Sequence, residues 1–114
     1  DKANIVDITR LQTIQWSDFR QQPQHWFVNH PTVCYRKSSI LAAGNYNPEL
    51  RKMAEDFNLE LRMLKMFDVV YNFPEPLLYY RLHEGQITHQ GGSEGREYWS
   101  NIRNKMIMEL ISNN

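Results

Sequence analysis

The sequence predicts an α/β fold, a portion of a mixed sheet with flanking helices. Three observations predict it: β-branched and aromatic runs that read as strands, one long stretch with helical apolar spacing, and their succession as strand, helix, helix, strand, strand, helix. With 114 residues the chain has room for one domain and one modest core.

Residues 1–24 are polar, with apolar anchors at Ile5, Val6, Ile8, Leu11, Ile14, Trp16 and Phe19; Ser17-Asp18 offers a helix start, so a loosely held loop or short helix is expected. Thr32-Val33-Cys34-Tyr35, β-branched and aromatic after Pro31, predicts a strand. Ser38 to Ala43 predicts a short helix, with Ser38 at its N-cap and Gly44 just past its end. The run from Gly44 to Glu49 is turn chemistry, because Gly and Asn tolerate positive φ and Pro48 cannot continue a ladder.

Glu55 to Phe67 holds no Gly, Pro or β-branched residue and sets Phe57, Leu61 and Leu64 at i, i+4 and i+7, one turn beyond Met53; it predicts the clearest helix. Asp68 to Phe73 and Pro76 to His83 predict two strands split by a Pro-Glu-Pro turn. Gly85 and the glycines of 91–95 mark a flexible connection. A C-terminal helix over 93–112 is expected from Tyr98, Ile102, Met106 and Glu109 with Trp99, Ile107 and Leu110.

Composition narrows the function. Thirteen Lys and Arg balance thirteen Asp and Glu, which leaves no net field to gather nucleic acid or anionic lipid. The single Cys34 excludes an internal disulfide and any CxxC motif, so a reducing, cytoplasmic setting is expected. Apolar runs such as Pro76 to Tyr80 fall far short of the roughly 20 residues of a membrane helix, so membrane association is expected only through a larger parent protein. Asp1 follows neither a Met nor a leader, and no signal peptide is read.

Glu55-Asp56 begins the best helix, where peptide dipoles favour negative charge. The plain reading is a pair of first-turn acids. The functional reading is a carboxylate held rigidly enough beneath the Gly44 turn to accept a proton from a hydroxyl. His83 ends the last strand and reads as a surface residue or a single metal ligand. His30 and Cys34 would stand about 13 Å apart along a strand, too far to share a metal, so His30 reads as packing or hydrogen bonding at a strand entry. His25 and His89 carry no signal. Arg36-Lys37, Arg51-Lys52 and Arg81 could meet a diphosphate, although most such cations are simply solvated. Trp26-Phe27 and Tyr79-Tyr80 could stack on a sugar or base; strand alternation favours the core for both.

Four segments in order and spacing resemble the back half of family 2 glycosyltransferases of the GT-A type. They are His30 to Lys37, Gly44-Asn45-Tyr46, Ala54 to Arg62 with its Glu55-Asp56 pair, and Pro76 to His83; the likeness covers residues 26–88. The resemblance implies that residues 1–114 form the C-terminal part of one catalytic domain. It implies Asp56 as the base that deprotonates the acceptor hydroxyl and Glu55 as a positioning acid. Gly44, Asn45, Tyr46 and Arg81 would line the donor site, with Asn45 where the family commonly has a second glycine. His83 would help bind the metal or diphosphate, the metal being a divalent cation, Mn or Mg, in the full-length enzyme and not tightly held by this piece alone.

The partners so implied are a nucleotide-sugar donor and a glycan or lipid-linked acceptor, in polysaccharide biosynthesis with inversion at the anomeric carbon. Self-association of the piece through an exposed strand edge is also expected. The family's Asp-x-Asp metal motif is absent from these 114 residues. That absence favours a rival from another class, a non-catalytic binding or assembly module that keeps the scaffold.

Overall fold

The computed structural model describes residues 5, 7–50, 54–83 and 92–113. Its elements are β1 (Ile14–Gln15), α1 (Trp16–Phe19), α2 (Lys37–Ala42), α3 (Glu55–Phe67), β2 (Val69–Val70) and α4 (Gly92–Ser112), with 3-10 turns at His30–Thr32 and Pro48–Leu50. The architecture is mixed α/β: helices around a two-stranded antiparallel sheet that pairs Ile14 with Val70 and Gln15 with Val69.

Helix α3 is the centre of the molecule and has the bounds its sequence predicts. Phe57, Leu61 and Leu64 are buried in the main core together with Trp16, Phe19, Phe27, Ala54 and Ile107. Four of these rings form a file, with centroids 5.8 Å apart for Trp16 and Phe19, 5.4 Å for Phe19 and Phe27, and 5.6 Å for Phe27 and Phe57. Edge-on and offset contacts of this kind add about 0.5 to 1.5 kcal/mol each beyond area burial. Against α3 lies α4, which buries Ile107 and half-buries Trp99, Ile102, Met106 and Leu110. Lys65 of α3 donates to the Leu110 carbonyl at 2.8 Å and to that of Asn113, so a cation satisfies the orphan carbonyls at the end of α4.

Several expectations are corrected. Thr32 to Tyr35 is no strand: Pro31 has no N–H for a ladder, and Thr32 and Val33 donate back to Asn29 and His30 at 2.9 and 3.1 Å, closing a 3-10 turn. Asp68 to Phe73 pairs only at Val69 and Val70. Beyond them side chains replace the ladder, with Asn72 N–H donating to Thr13 Oγ1 at 3.0 Å and its Nδ2 to the Phe27 carbonyl at 2.9 Å.

Pro76 to His83 carries neither helix nor ladder. Pro74 and Pro76 withhold two donors, and no described strand lies beside the stretch to pair with it. Tyr79 and Tyr80 are therefore exposed rather than core; of the other aromatic pair Phe27 is buried and Trp26 exposed. Ser38 is inside α2 rather than at its N-cap, which is Arg36. Of the two alternatives for the N-terminal segment, the short helix is present at Trp16–Phe19, and Trp16 and Phe19 anchor it in the core. Met53, Arg51-Lys52, His89, Gly85 and the Gly91 end of the connection lie outside the described residues.

Candidate active site

The end of α2 builds the first half of the site. The Gly44 N–H donates to the Leu41 carbonyl at 3.1 Å and the Asn45 N–H to that of Ile40 at 2.9 Å, a Schellman closure. The chain can turn this way because Gly44 sits at φ +94 and Asn45 at φ 62, left-handed values that Gly and Asn tolerate. Tyr46 follows, its N–H donating to Asn45 Oδ1 at 2.8 Å.

The second half is the first turn of α3. Ala54, at its N-cap, is also left-handed at φ 62 and is buried without a side-chain cap. Such strain, about 1 to 3 kcal/mol, persists only where the surroundings impose it. Glu55 and Asp56 are half-buried, and Asp56 Oδ1 accepts the Phe57 N–H at 2.7 Å, covering one orphan donor of the helix start. The plain, helix-start role of Asp56 is thus present, and it also fixes the carboxylate.

Arg62 joins the two halves. Its Nε donates to Asn58 Oδ1 at 3.0 Å, its Nη1 to the Ala43 carbonyl and its Nη2 to the Asn45 carbonyl at 2.6 Å. One planar guanidinium thereby grips the backbone on both sides of Gly44, a geometry that lysine could not reproduce. A Cβ added at Gly44 would stand 3.2 Å from Nη1, so the grip needs glycine there as well. Gly44, Asn45 and the helix that carries Glu55 and Asp56 are held as one body.

Behind this turn lies a buried acid. Glu60 is 5% exposed, and its Oε2 accepts from the Tyr35 hydroxyl at 3.0 Å and bonds His30 Nδ1 at 2.9 Å. Burial pushes its carboxyl up to about 6, against the pull of the His30 and Tyr35 hydrogen bonds and with a further upward push from the charge on Asp56. Burial and then the Glu60 charge also raise the Tyr35 phenol well above its ordinary range. The Tyr46 phenol is raised by burial and by the charges of Glu60, Asp56 and Glu55. These five side chains, Tyr35, Tyr46, Glu55, Asp56 and Glu60, therefore share one electrostatic neighbourhood.

Arg81 and His83 are exposed, on the stretch after β2 that carries no regular structure. Among the described residues no three His, Cys, Asp or Glu side chains come together as a set that could hold a metal ion. The donor set among the described residues does not fit a resident divalent cation.

Glu60 and Arg62 escape a reading by motif. The signal for Glu60 is a charge inside the apolar stripe of Phe57, Leu61 and Leu64, which an amphipathic helix keeps for its buried face. Arg62 stands within the Ala54 to Arg62 segment, but its partners are backbone carbonyls and leave no trace in side-chain pattern. His30 does hydrogen-bond as expected, from a 3-10 turn rather than a strand.

The chain is 30% identical over 78 residues to the amylovoran biosynthesis glycosyltransferase AmsE of Erwinia amylovora, a match covering 68% of this chain and 26% of that protein. It is 28% identical over 72 residues to an uncharacterized glycosyltransferase of Haemophilus influenzae, covering 62% of this chain and 26% of that protein. The chain spans about a quarter of the length of these curated relatives. No family model and no solved structure matches it. The chain is thus mixed α/β in fold and related in sequence to proteins named as glycosyltransferases. No described helix is long and apolar enough to cross a membrane.

Proposed function

We propose that this chain is the acceptor-side, base-bearing part of an inverting glycosyltransferase of family 2 and GT-A type. Asp56 takes the proton of an acceptor hydroxyl as its oxygen attacks the anomeric carbon of a nucleotide-sugar, and the bond to the nucleoside diphosphate breaks with its electron pair leaving on the diphosphate. Glu55 positions the acceptor, Gly44, Asn45 and Tyr46 line the donor side, and Arg81 faces the leaving phosphates. A divalent cation, with His83 beside it, belongs to this reading only in a longer polypeptide whose other residues supply the ligands.

The observation that carries the proposal is the Arg62 grip. Two motif segments, ten residues apart in sequence, are fastened into one body with an anchored carboxylate at its edge. The glycosyltransferase names of the relatives support the same class. The test is release of nucleoside diphosphate from a panel of nucleotide-sugars by the full-length protein with manganese or magnesium. Turnover that Asp56→Asn abolishes in a folded protein is expected; near wild-type turnover in that variant would overturn the assignment of the base.

One observation favours a second reading, a binding or assembly module on the same scaffold. Tyr71, Phe73, Leu77, Leu78 and Tyr79 form an exposed apolar stretch of the kind that partners cover. Absence of nucleoside diphosphate release from every donor in the panel, with the apolar stretch engaged by a partner, would favour the module.

A further inference from the structure

We propose that Glu60 is a positioning residue for Asp56: it fastens the helix that bears the base to the 30–35 segment and sets a second carboxyl one helical turn from it. The proposal rests on the reading of Asp56 as the base.

Geometry carries it. Residues four apart on a helix are surface neighbours, with Cβ atoms about 5 to 6 Å apart, so Asp56 and Glu60 lie on one face of α3. The two bonds to Glu60 Oε2 come from different elements, His30 in the 3-10 turn and Tyr35 in the extended stretch that leads into α2 and the Gly44 turn. With Arg62 on one side and Glu60 on another, α3 is tied to both ends of the 30–45 segment.

A carboxyl is a costly choice for this position. A leucine there would extend the buried stripe, whereas a buried acid must be compensated by hydrogen bonds. What the acid adds is charge. The titratable groups facing it are His30, Tyr35, Tyr46 and Asp56: His30 and Tyr35 hydrogen-bond it and draw its carboxyl down, while the charge on Asp56 pushes it up. The two carboxyls, one helical turn apart, sense each other: the charge on Asp56 pushes Glu60 upward. A carboxylate with a like-charged neighbour is a better acceptor for the proton of an alcohol.

The test has two arms. In the first, the Glu60 carboxyl is followed by 13C NMR across pH in the intact protein and in Asp56→Asn. The expected result is a midpoint near 6 that falls measurably when Asp56 loses its charge. In the second, nucleoside diphosphate release is measured against pH for wild type and Glu60→Gln. The variant is expected to lose about three- to tenfold in kcat at neutral pH with donor KM held within about twofold, and to lose less at low pH, where Glu60 is already neutral.

A Glu60 midpoint that ignores Asp56→Asn overturns the proposal, and so does a Glu60→Gln loss of equal size at every pH, which is the mark of a packing defect. The first arm decides even if Glu60→Gln fails to fold. Undiminished turnover in Asp56→Asn removes the base itself and the proposal with it, and is recognised by that rate alone, apart from the result at Glu60.

Discussion

Helix α3 and the stretch from Tyr71 to Leu82 are similarly rich in large apolar side chains and meet opposite fates. In α3, Phe57, Leu59, Leu61 and Leu64 are all buried; in the other stretch Tyr71 is 80% exposed, Phe73 77% and Leu77 72%. The difference lies in where each finds its hydrogen bonds. A helix satisfies its backbone within itself and needs only one covered face, whereas a strand needs a neighbour along its whole length. Residues 14 and 15 supply that neighbour for Val69 and Val70 and no further. Apolar pattern therefore places α3 unaided and leaves the next stretch waiting for a partner.

The largest test of this contrast is truncation in each region. Phe57→Ala should cost about 3 to 5 kcal/mol, because it removes the last ring of the aromatic file and leaves a cavity among Phe27, Leu61 and Leu64. Leu77→Ala should stay within about 0.5 kcal/mol. Urea unfolding of both variants measures the difference, and comparable losses would dissolve the contrast.

A smaller effect sharpens it within α3, where the buried face is not uniformly apolar. The folded-state value of Glu60, about 6, lies above its ordinary 4.5, so its contribution is full below the ordinary value and is lost as pH rises through 6. That difference corresponds to about 2 kcal/mol. Glu60→Gln has no such term, so relative to wild type it should gain about 2 kcal/mol in stability between pH 4 and pH 7.5, read from paired unfolding curves. Parallel pH profiles for the two proteins would contradict the burial of an ionisable carboxyl here.

Gly44→Ala should cost about 1 to 2 kcal/mol, since φ +94 is strained for any residue with a Cβ and the added carbon crowds Arg62. The expected signature is a lowered thermal midpoint that Arg62→Ala does not worsen additively, because both changes loosen the same grip. The smallest effect belongs to the exposed stretch. Sedimentation at rising concentration should show self-association that Phe73→Lys with Leu77→Lys suppresses, while the unfolding midpoint stays nearly unchanged. A compact monomer at high concentration would mean that this surface does not seek a second copy.

What could be read beforehand follows the same division. The bounds of α3 and the existence of α4 were legible because periodic apolar spacing and the lack of breakers are local properties. The turn at Gly44 and Asn45 was legible because positive φ selects those residue types. The pairing of Ile14-Gln15 with Val69-Val70 was not, since it joins segments more than fifty residues apart through two polar anchors, Thr13 and Asn72. In the site, Asp56 announces itself by its neighbours in sequence. Glu60, His30 and Tyr35 meet only in three dimensions, and Arg62 speaks to backbone oxygens that every residue possesses.

The central claim, that the Arg62-fastened body presents Asp56 as a base for glycosyl transfer, is tested most directly by one pair of rates. Nucleoside diphosphate release would be measured for wild type and Asp56→Asn in the full-length protein, with circular dichroism and the unfolding midpoint confirming that both are folded. The account predicts loss of turnover by about a hundredfold or more, the usual contribution of a positioned general base, with little change in stability. Equal rates in the two proteins would contradict it.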